Sequence, residues 1–272
     1  MLISVIYLIG SFMICKLLLK MFFDLLYNGG SIKKNFKGEN IPVGMGVIFI
    51  PVIMINIVVL LLFKIEVKTT TVLIFLIANL TMALLGLLDD LLGNRDVTGL
   101  KGHLMMIFKG QLSTGGLKAL LGGCISLIIS IIISNSWIDI IINTGVIALF
   151  TNFINLLDLR PGRAIKGFLL GSCILFFQPI YKAVEILTCG LMGSVLAYLP
   201  YDLKAKSMLG DIGSNMLGIT LGLLWTYEMP LSVRAGALLF LVSIHIYAEK
   251  YSITETIQKS RILRYVDEIG RK

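Results

Sequence analysis

The chain has 272 residues, 57% of them hydrophobic and 15% charged, and its mean hydropathy is +0.91. Soluble domains run at about 45–50% apolar and about 25% charged, so a soluble globular enzyme is excluded. Disorder, which needs low hydrophobicity and high charge, is excluded with it. The net charge of +8 would suggest nucleic acid in a soluble chain. In a membrane protein it reads instead as Lys and Arg collected in cytoplasmic loops, and nucleic acid is not an expected partner.

A helical span needs about 20 apolar residues. Apolar windows near that length fall, in chain order, at residues 2–23, 44–63, 70–88, 117–134, 137–156, 166–180, 182–199, 212–227 and 231–248. The first opens at the N-terminus with no basic start and no small-residue cleavage site, and is expected to be a retained helix rather than a signal peptide. The runs are continuously apolar, unlike the alternating segments of a barrel. Cys15, Cys124, Cys173 and Cys189 lie in apolar stretches without a C-x-x-C pair, and are expected to pack or face lipid. The expected fold is all-α: a polytopic helical membrane protein, one integral-membrane domain over residues 1–272, with about nine transmembrane helices.

With that count the termini lie on opposite faces, and the loops sort by parity. One face receives Lys33, Lys34, Lys37, Arg95, Lys101, Lys109, Arg160, Arg163, Lys204, Lys206 and the basic residues after Lys250. The other receives little beyond Lys64, Lys68, Lys182 and Arg234. The positive-inside rule makes the first face cytoplasmic, with the N-terminus outside and the C-terminus cytoplasmic.

The same parity places the scarce acidic residues. Asp89 and Asp90 end the third window, Asn155 and Asp158 end the fifth, and Asp211 opens the eighth. Two crossings separate each group from the next, so all reach the cytoplasmic face at similar depth. A carboxylate at the bilayer edge is costly unless paired, solvated or functional. Any one of these is explained equally by headgroup solvation or a loop Arg; together, at three helix ends, they suit a divalent cation. Mg²⁺ prefers oxygen ligands and bridges to substrate phosphates. In GDIGS at 210–214, a helix start would add anion-binding amides. Arg160, Arg163 and Lys166 either grip a diphosphate or serve as topology determinants on anionic headgroups. Gly44 and Gly46 read as close-packing positions. His245 reads as a packed helix residue, and His103, in the loop after Asp90, as either a phosphate contact or an ordinary loop residue.

The ordered set NIPVGMG at 40–46, LLDD at 87–90, NFINLLD at 152–158 and GDIGSNMLG at 210–218 resembles the polyprenyl-phosphate N-acetylhexosamine-1-phosphate transferases, a superfamily that includes the phospho-N-acetylmuramoyl-pentapeptide and undecaprenyl-phosphate N-acetylglucosamine-1-phosphate transferases. The resemblance covers nearly the whole chain. It implies Mg²⁺-dependent transfer of a sugar 1-phosphate from a UDP-sugar to undecaprenyl phosphate, with release of UMP, in cell-envelope polysaccharide synthesis at the bacterial cytoplasmic (inner) membrane. It implies catalytic roles for Asp89, Asp90 and Asp158, a Mg²⁺ ligand in Asp211, and substrate contacts from Asn152 and Asn155; Arg160, Arg163, Lys166 and His103 are the substrate-contact candidates that their charge and place in the sequence add. The implied partners are a polyprenyl phosphate lipid, a UDP-sugar donor, membrane lipids and a second copy of the chain as a homodimer.

The departures matter. Where the family repeats an aspartate after Asp158, this chain has Pro161. The stretch matching the family's histidine-rich loop reads Arg264-Tyr265-Val266-Asp267-Glu268-Ile269 and has no histidine, and the family's final span is not matched. These departures motivate an alternative: a catalytically degenerate member that binds lipid or nucleotide, or scaffolds envelope enzymes. A cation transporter is the weaker third reading, since it needs ionisable residues near mid-span.

Overall fold

The computed structural model describes residues 2–93, 102, 106, 110–173 and 182–271. Among the described residues there are eleven α-helices and one two-stranded ribbon. The helices are α1 (Leu2–Asn28), α2 (Phe49–Leu62), α3 (Thr69–Leu92), α4 (Thr114–Ile133), α5 (Trp137–Leu157), α6 (Arg163–Cys173), α7 (Lys182–Leu203), α8 (Gly210–Glu228), α9 (Leu231–Lys250), α10 (Ile253–Lys259) and α11 (Arg261–Glu268). Between α1 and α2 run β1 (Ile32–Lys34) and β2 (Asn40–Pro42), antiparallel with Ile32 opposite Pro42, followed by a 3-10 turn at Met45–Ile48. Serines start several helices: Ser113 accepts from the Gly116 amide, Ser136 from Asp139, Ser252 from Glu255 and Ser260 from Leu263. Each side chain satisfies an amide that the first helical turn leaves unpaired.

Seven helices are long and apolar enough to cross a membrane: α1, α2 with its 3-10 turn, α3, α4, α5, α7 and α9. The protein is therefore an all-α polytopic membrane protein. The two remaining windows behave differently. The sixth contains α6, which reaches Cys173; its last residues fall at 174–180, outside the described set. The eighth contains α8, whose 19 residues reach about 28 Å. Helix α8 is buried nearly end to end and packs against α3, α5, α6 and α7. A helix walled by protein needs no lipid-facing side, so it tolerates Asp211, Ser214, Asn215, Thr220 and Thr226, which lower its hydropathy.

Small residues bring the neighbours of α8 in close. A Cβ on Gly218 would stand 2.5 Å from the Thr151 backbone of α5, and one on Gly86 of α3 would stand 2.4 Å from the Asp211 carbonyl oxygen. As the sequence suggests, Gly46 packs: a Cβ there would lie 2.1 Å from Gly213 Cα. These contacts need glycine, as close helix crossings in membranes commonly do. Some polar groups inside the bundle pair across helices, Asn79 with Thr220 at 3.1 Å and Ser11 with Asn56 at 2.8 Å.

Helices α1, α3, α5, α7 and α9 run toward one end of the bundle, and α2, α4, α6 and α8 start there. The β-ribbon, α10 and α11 lie at the same end: Lys33 of β1 bonds the Asp90 carbonyl, and Arg163 of α6 bonds Asp267 of α11. The chain's two ends thus sit at opposite ends of the bundle.

Candidate active site

The close α3–α8 contact at Gly86 sets Asp89 and Asp90, one turn further on, beside the start of α8. Asp90 Oδ2 accepts from the Ile212 amide at 3.3 Å, and the Asp211 amide also bonds this carboxylate. Asp90 therefore caps α8, where free amides and the helix dipole favour an anion. Gly210 holds the left-handed backbone (φ +76°) that the cap requires, and a Cβ on it would come within 2.5 Å of Asp90 Oδ2. The sequence suggested that these amides take a phosphate; the structure places the Asp90 carboxylate on them instead.

Asp89 points to α4. Lys118 Nζ bonds Asp89 Oδ2 at 3.2 Å and also pairs with Asp211 Oδ2, and Thr114 adds a side-chain hydrogen bond to Asp89. The Lys118 side chain is 15% exposed. Asn155 completes the cluster. With its amide oriented so that each atom meets a complementary partner, it donates to Ser214 Oγ (2.9 Å) and Asp211 Oδ1 (3.2 Å), and its oxygen accepts from Lys118 Nζ (3.0 Å).

Asp158 caps the end of α5 beside these groups. Burial, then the charges of Asp202, Asp211 and Asp90, push its carboxyl well above the ordinary carboxylate range, against one hydrogen bond from the Gly210 amide. Asp202, buried at the end of α7, accepts from the Gly162 amide at 2.7 Å and so holds the turn that follows Asp158.

The basic residues divide. Arg160 is exposed on that turn. Arg163 is buried, with Nε and Nη2 each 2.9 Å from the two Asp267 carboxylate oxygens and Nη1 bonded to Thr254. Lys166 Nζ donates to the Val266 and Asp267 carbonyls at 2.9 and 2.7 Å. Arg163 and Lys166, both expected at phosphates, are here bonded to the C-terminal segment. Asn152 is exposed on α5, one turn before Asn155. His103 lies outside the described residues. His245 bonds the Leu241 carbonyl within α9 through Nδ1.

Sequence reasoning thus brought together Asp89, Asp90, Asn155, Asp158 and Asp211, and missed Lys118, Asp202 and Asp267. Among the described residues no three His, Cys, Asp or Glu side chains converge as a metal set. The cation between Asp89 and Asp211 is the Lys118 ammonium. Carboxylate and amide oxygens are the hard donors Mg²⁺ takes, and Asp89 and Asp211, which share one cation, offer oxygens of that kind.

Helices long and apolar enough to cross a membrane thus gather carboxylates, an amide and a lysine at one end of the bundle. Residues 72–228, more than half of the chain, match the Glycosyl transferase family 4 model, and the chain belongs to that family, the polyprenyl-phosphate hexosamine-1-phosphate transferases. The matched stretch runs from α3 through α8 and contains Asp89, Asp90, Lys118, Asn155, Asp158, Asp202 and Asp211. No curated protein matches the chain.

Proposed function

We propose that the protein moves a sugar 1-phosphate from a UDP-sugar to undecaprenyl phosphate at the cytoplasmic face of the bacterial inner membrane, releasing UMP, in cell-envelope polysaccharide synthesis. The observation that carries this reading is the Asp89–Lys118–Asp211–Asn155 cluster at one end of the bundle, in a chain of this family. An oxygen of the lipid phosphate attacks the donor's β-phosphorus, and the bond from that phosphorus to the oxygen bridging to the α-phosphate breaks, so UMP leaves. A phosphate is already ionised at neutral pH, and the attack needs no strong base. Lys118, freed from one carboxylate, binds and orients the diphosphate; Asp90 keeps α8, and hence Asp211, in register; Asn155 orients Asp211 and Lys118. Asp211 and Asp89 would hold Mg²⁺. When bound, Mg²⁺ supplies Lewis-acid polarisation and charge neutralisation of the diphosphate.

The test is UMP release from a panel of UDP-sugars by purified protein with undecaprenyl phosphate and Mg²⁺. Asp89→Asn and Asp211→Asn are each expected to lower the rate by about 10²–10³-fold, the scale for removing one electrostatic element of a site. Full activity in both variants would overturn the reading. One observation favours the alternative of binding without turnover: Arg163 and Lys166 are engaged by the C-terminal segment instead of facing the cluster. Mg²⁺-dependent UDP-sugar binding with no UMP release from any donor would favour that alternative.

A further inference from the structure

The segment beyond the family match folds back onto the turn that follows Asp158. Its centre is Asp267 of α11, whose side chain is only 3% exposed. Four N–H groups converge on this carboxylate: Nε and Nη2 of Arg163 at 2.9 Å, and Nη1 and Nη2 of Arg271 at 2.8 and 2.7 Å. The third donor of Arg271, Nε, reaches the Pro161 carbonyl at 2.6 Å. Lys166 binds the last carbonyls of α11, where the helix dipole favours a cation. The turn from Asp158 to Arg163 is therefore gripped twice. Asp202 holds the Gly162 amide from the bundle side, and the Asp267 knot holds Pro161 and Arg163 from the C-terminal side.

The arrangement is directional. Charge-assisted bidentate pairs fix geometry as well as energy, and a carboxylate shared by two guanidiniums cannot leave without stranding both cations, one of them buried. The turn so fixed carries Asp158 at its start and the exposed Arg160 in its middle. Pro161 stands in it between Arg160 and Gly162. The carbonyl of that proline is the atom Arg271 holds.

We propose that Asp267 is a positioning residue: through Arg163 and Arg271 it locks the Asp158–Arg163 turn, and so sets Arg160 beside the carboxylate cluster to meet the phosphates of an anionic donor. The donor half of this statement rests on the transferase reading above; the locking half does not.

The experiment uses the full chain in nanodiscs and reads amide hydrogen exchange of Gly162–Lys166 together with donor and acceptor KM. In Asp267→Asn these amides are expected to exchange about ten-fold faster or more, because charge-assisted contacts to both guanidiniums are weakened. Donor KM is expected to rise about ten-fold with acceptor KM unchanged. Asp267→Glu, which keeps the charge, should restore most of both. Arg271→Gln removes only the outer arm at a partly exposed position, keeps the fold should Asp267→Asn not fold, and is expected to give the same two changes in smaller measure. Unchanged exchange at Gly162–Lys166 in a folded variant overturns the proposal, and so does an equal rise in acceptor KM. If no donor gives UMP but exchange responds to Asp267→Asn, the lock stands and the transferase reading falls. If transfer is robust and neither exchange nor donor KM responds, the lock falls and the transferase reading stands.

Discussion

Lys118 answers three neighbours at once, Asp89, Asp211 and the Asn155 amide oxygen. Replacing it with methionine keeps the bulk of the stem and leaves two carboxylates facing each other without a cation. Lys118→Met is expected to lower UMP release by about 10²-fold or more. Lys118→Arg should not restore the rate, because a planar fork does not fill the seat of a compact ammonium. Rates measured alongside gel-filtration profiles separate loss of function from loss of fold. Asp158 gives the opposite kind of prediction. Its folded pKa is raised, so the folded state prefers it protonated. The stabilisation is complete below the ordinary value of about 3.9 and is lost as pH rises through the raised value. Above that ordinary value, burial of this carboxyl among like charges opposes folding. Asp158→Asn is therefore expected to raise Tm at pH 7.5 by about 2–4 °C per kcal/mol relieved, with the gain vanishing near pH 4, while transfer falls. A thermal melt at the two pH values checks it, and an unchanged Tm at pH 7.5 would refute it. Asp158 was legible from the sequence because it stands alone after an apolar run. Lys118 was not, because it sits one turn inside α4, far along the chain from Asp89, and nothing in its spacing points to that residue. Asp202 resembled an ordinary helix-end charge, and only the packing of α7 shows it buried against Gly162.

The α3–α8 contact sets the distance between the carboxylates, and it depends on a missing side chain. A Cβ on Gly86 would meet the Asp211 carbonyl oxygen at 2.4 Å and the Ile212 amide at 2.5 Å. Backbone atoms cannot rotate away, so Gly86→Ala must push the start of α8 off α3. The expected loss of transfer is about 10²-fold, the scale of a 1 Å misplacement. Gly123→Ala in α4, where a Cβ would meet nothing within 4 Å, is expected to leave the rate unchanged and serves as the matched control. Helix α11 depends on charge. Burial opposes ionisation of Asp267, but the hydrogen bonds and charges of Arg163 and Arg271 outweigh it and hold the carboxyl at about 2. With the folded pKa depressed, the stabilisation is complete above the ordinary value of about 3.9 and is lost as pH falls toward 2. The Asp267 contribution to protection of the Gly162–Lys166 amides, read as the difference between the native chain and Asp267→Asn, should therefore stay flat from pH 5 to pH 8. Of the elements, the long apolar windows were legible because burial in lipid leaves an unbroken hydropathy signal. The β-ribbon, α10 and α11 are short and polar, and are placed by contacts with distant residues, such as Lys33 with Asp90 and Asp267 with Arg163, that no local pattern encodes.

Across the molecule, alternate helices place Asp89, Asp90, Asp158, Asp202 and Asp211 at one end and a different cluster at the other. There Arg234 pairs with Asp139 at 3.0 Å and with Asn143, beside a cavity of about 440 Å³ that Lys68 and Asn135 also line. Trp137, 81% exposed at the start of α5, marks this end as one of the interfaces where aromatic side chains settle. The asymmetry of charge gives the molecule a direction. Lys33, Lys34, Lys37, Lys204, Lys206 and Lys259 gather at the carboxylate end, and the positive-inside rule predicts that this end faces the cytoplasm. The orientation is tested in a chain whose four native cysteines are replaced by serine, carrying a single cysteine at Asn135 or at Lys204, both exposed and at opposite ends. In intact spheroplasts a membrane-impermeant maleimide is expected to label Asn135→Cys, and to label Lys204→Cys only after permeabilisation. The reverse pattern would put the carboxylate end outside, away from any cytoplasmic UDP-sugar. The orientation and the transferase reading would then fail together, since an enzyme of this reaction must face the compartment that makes its donor.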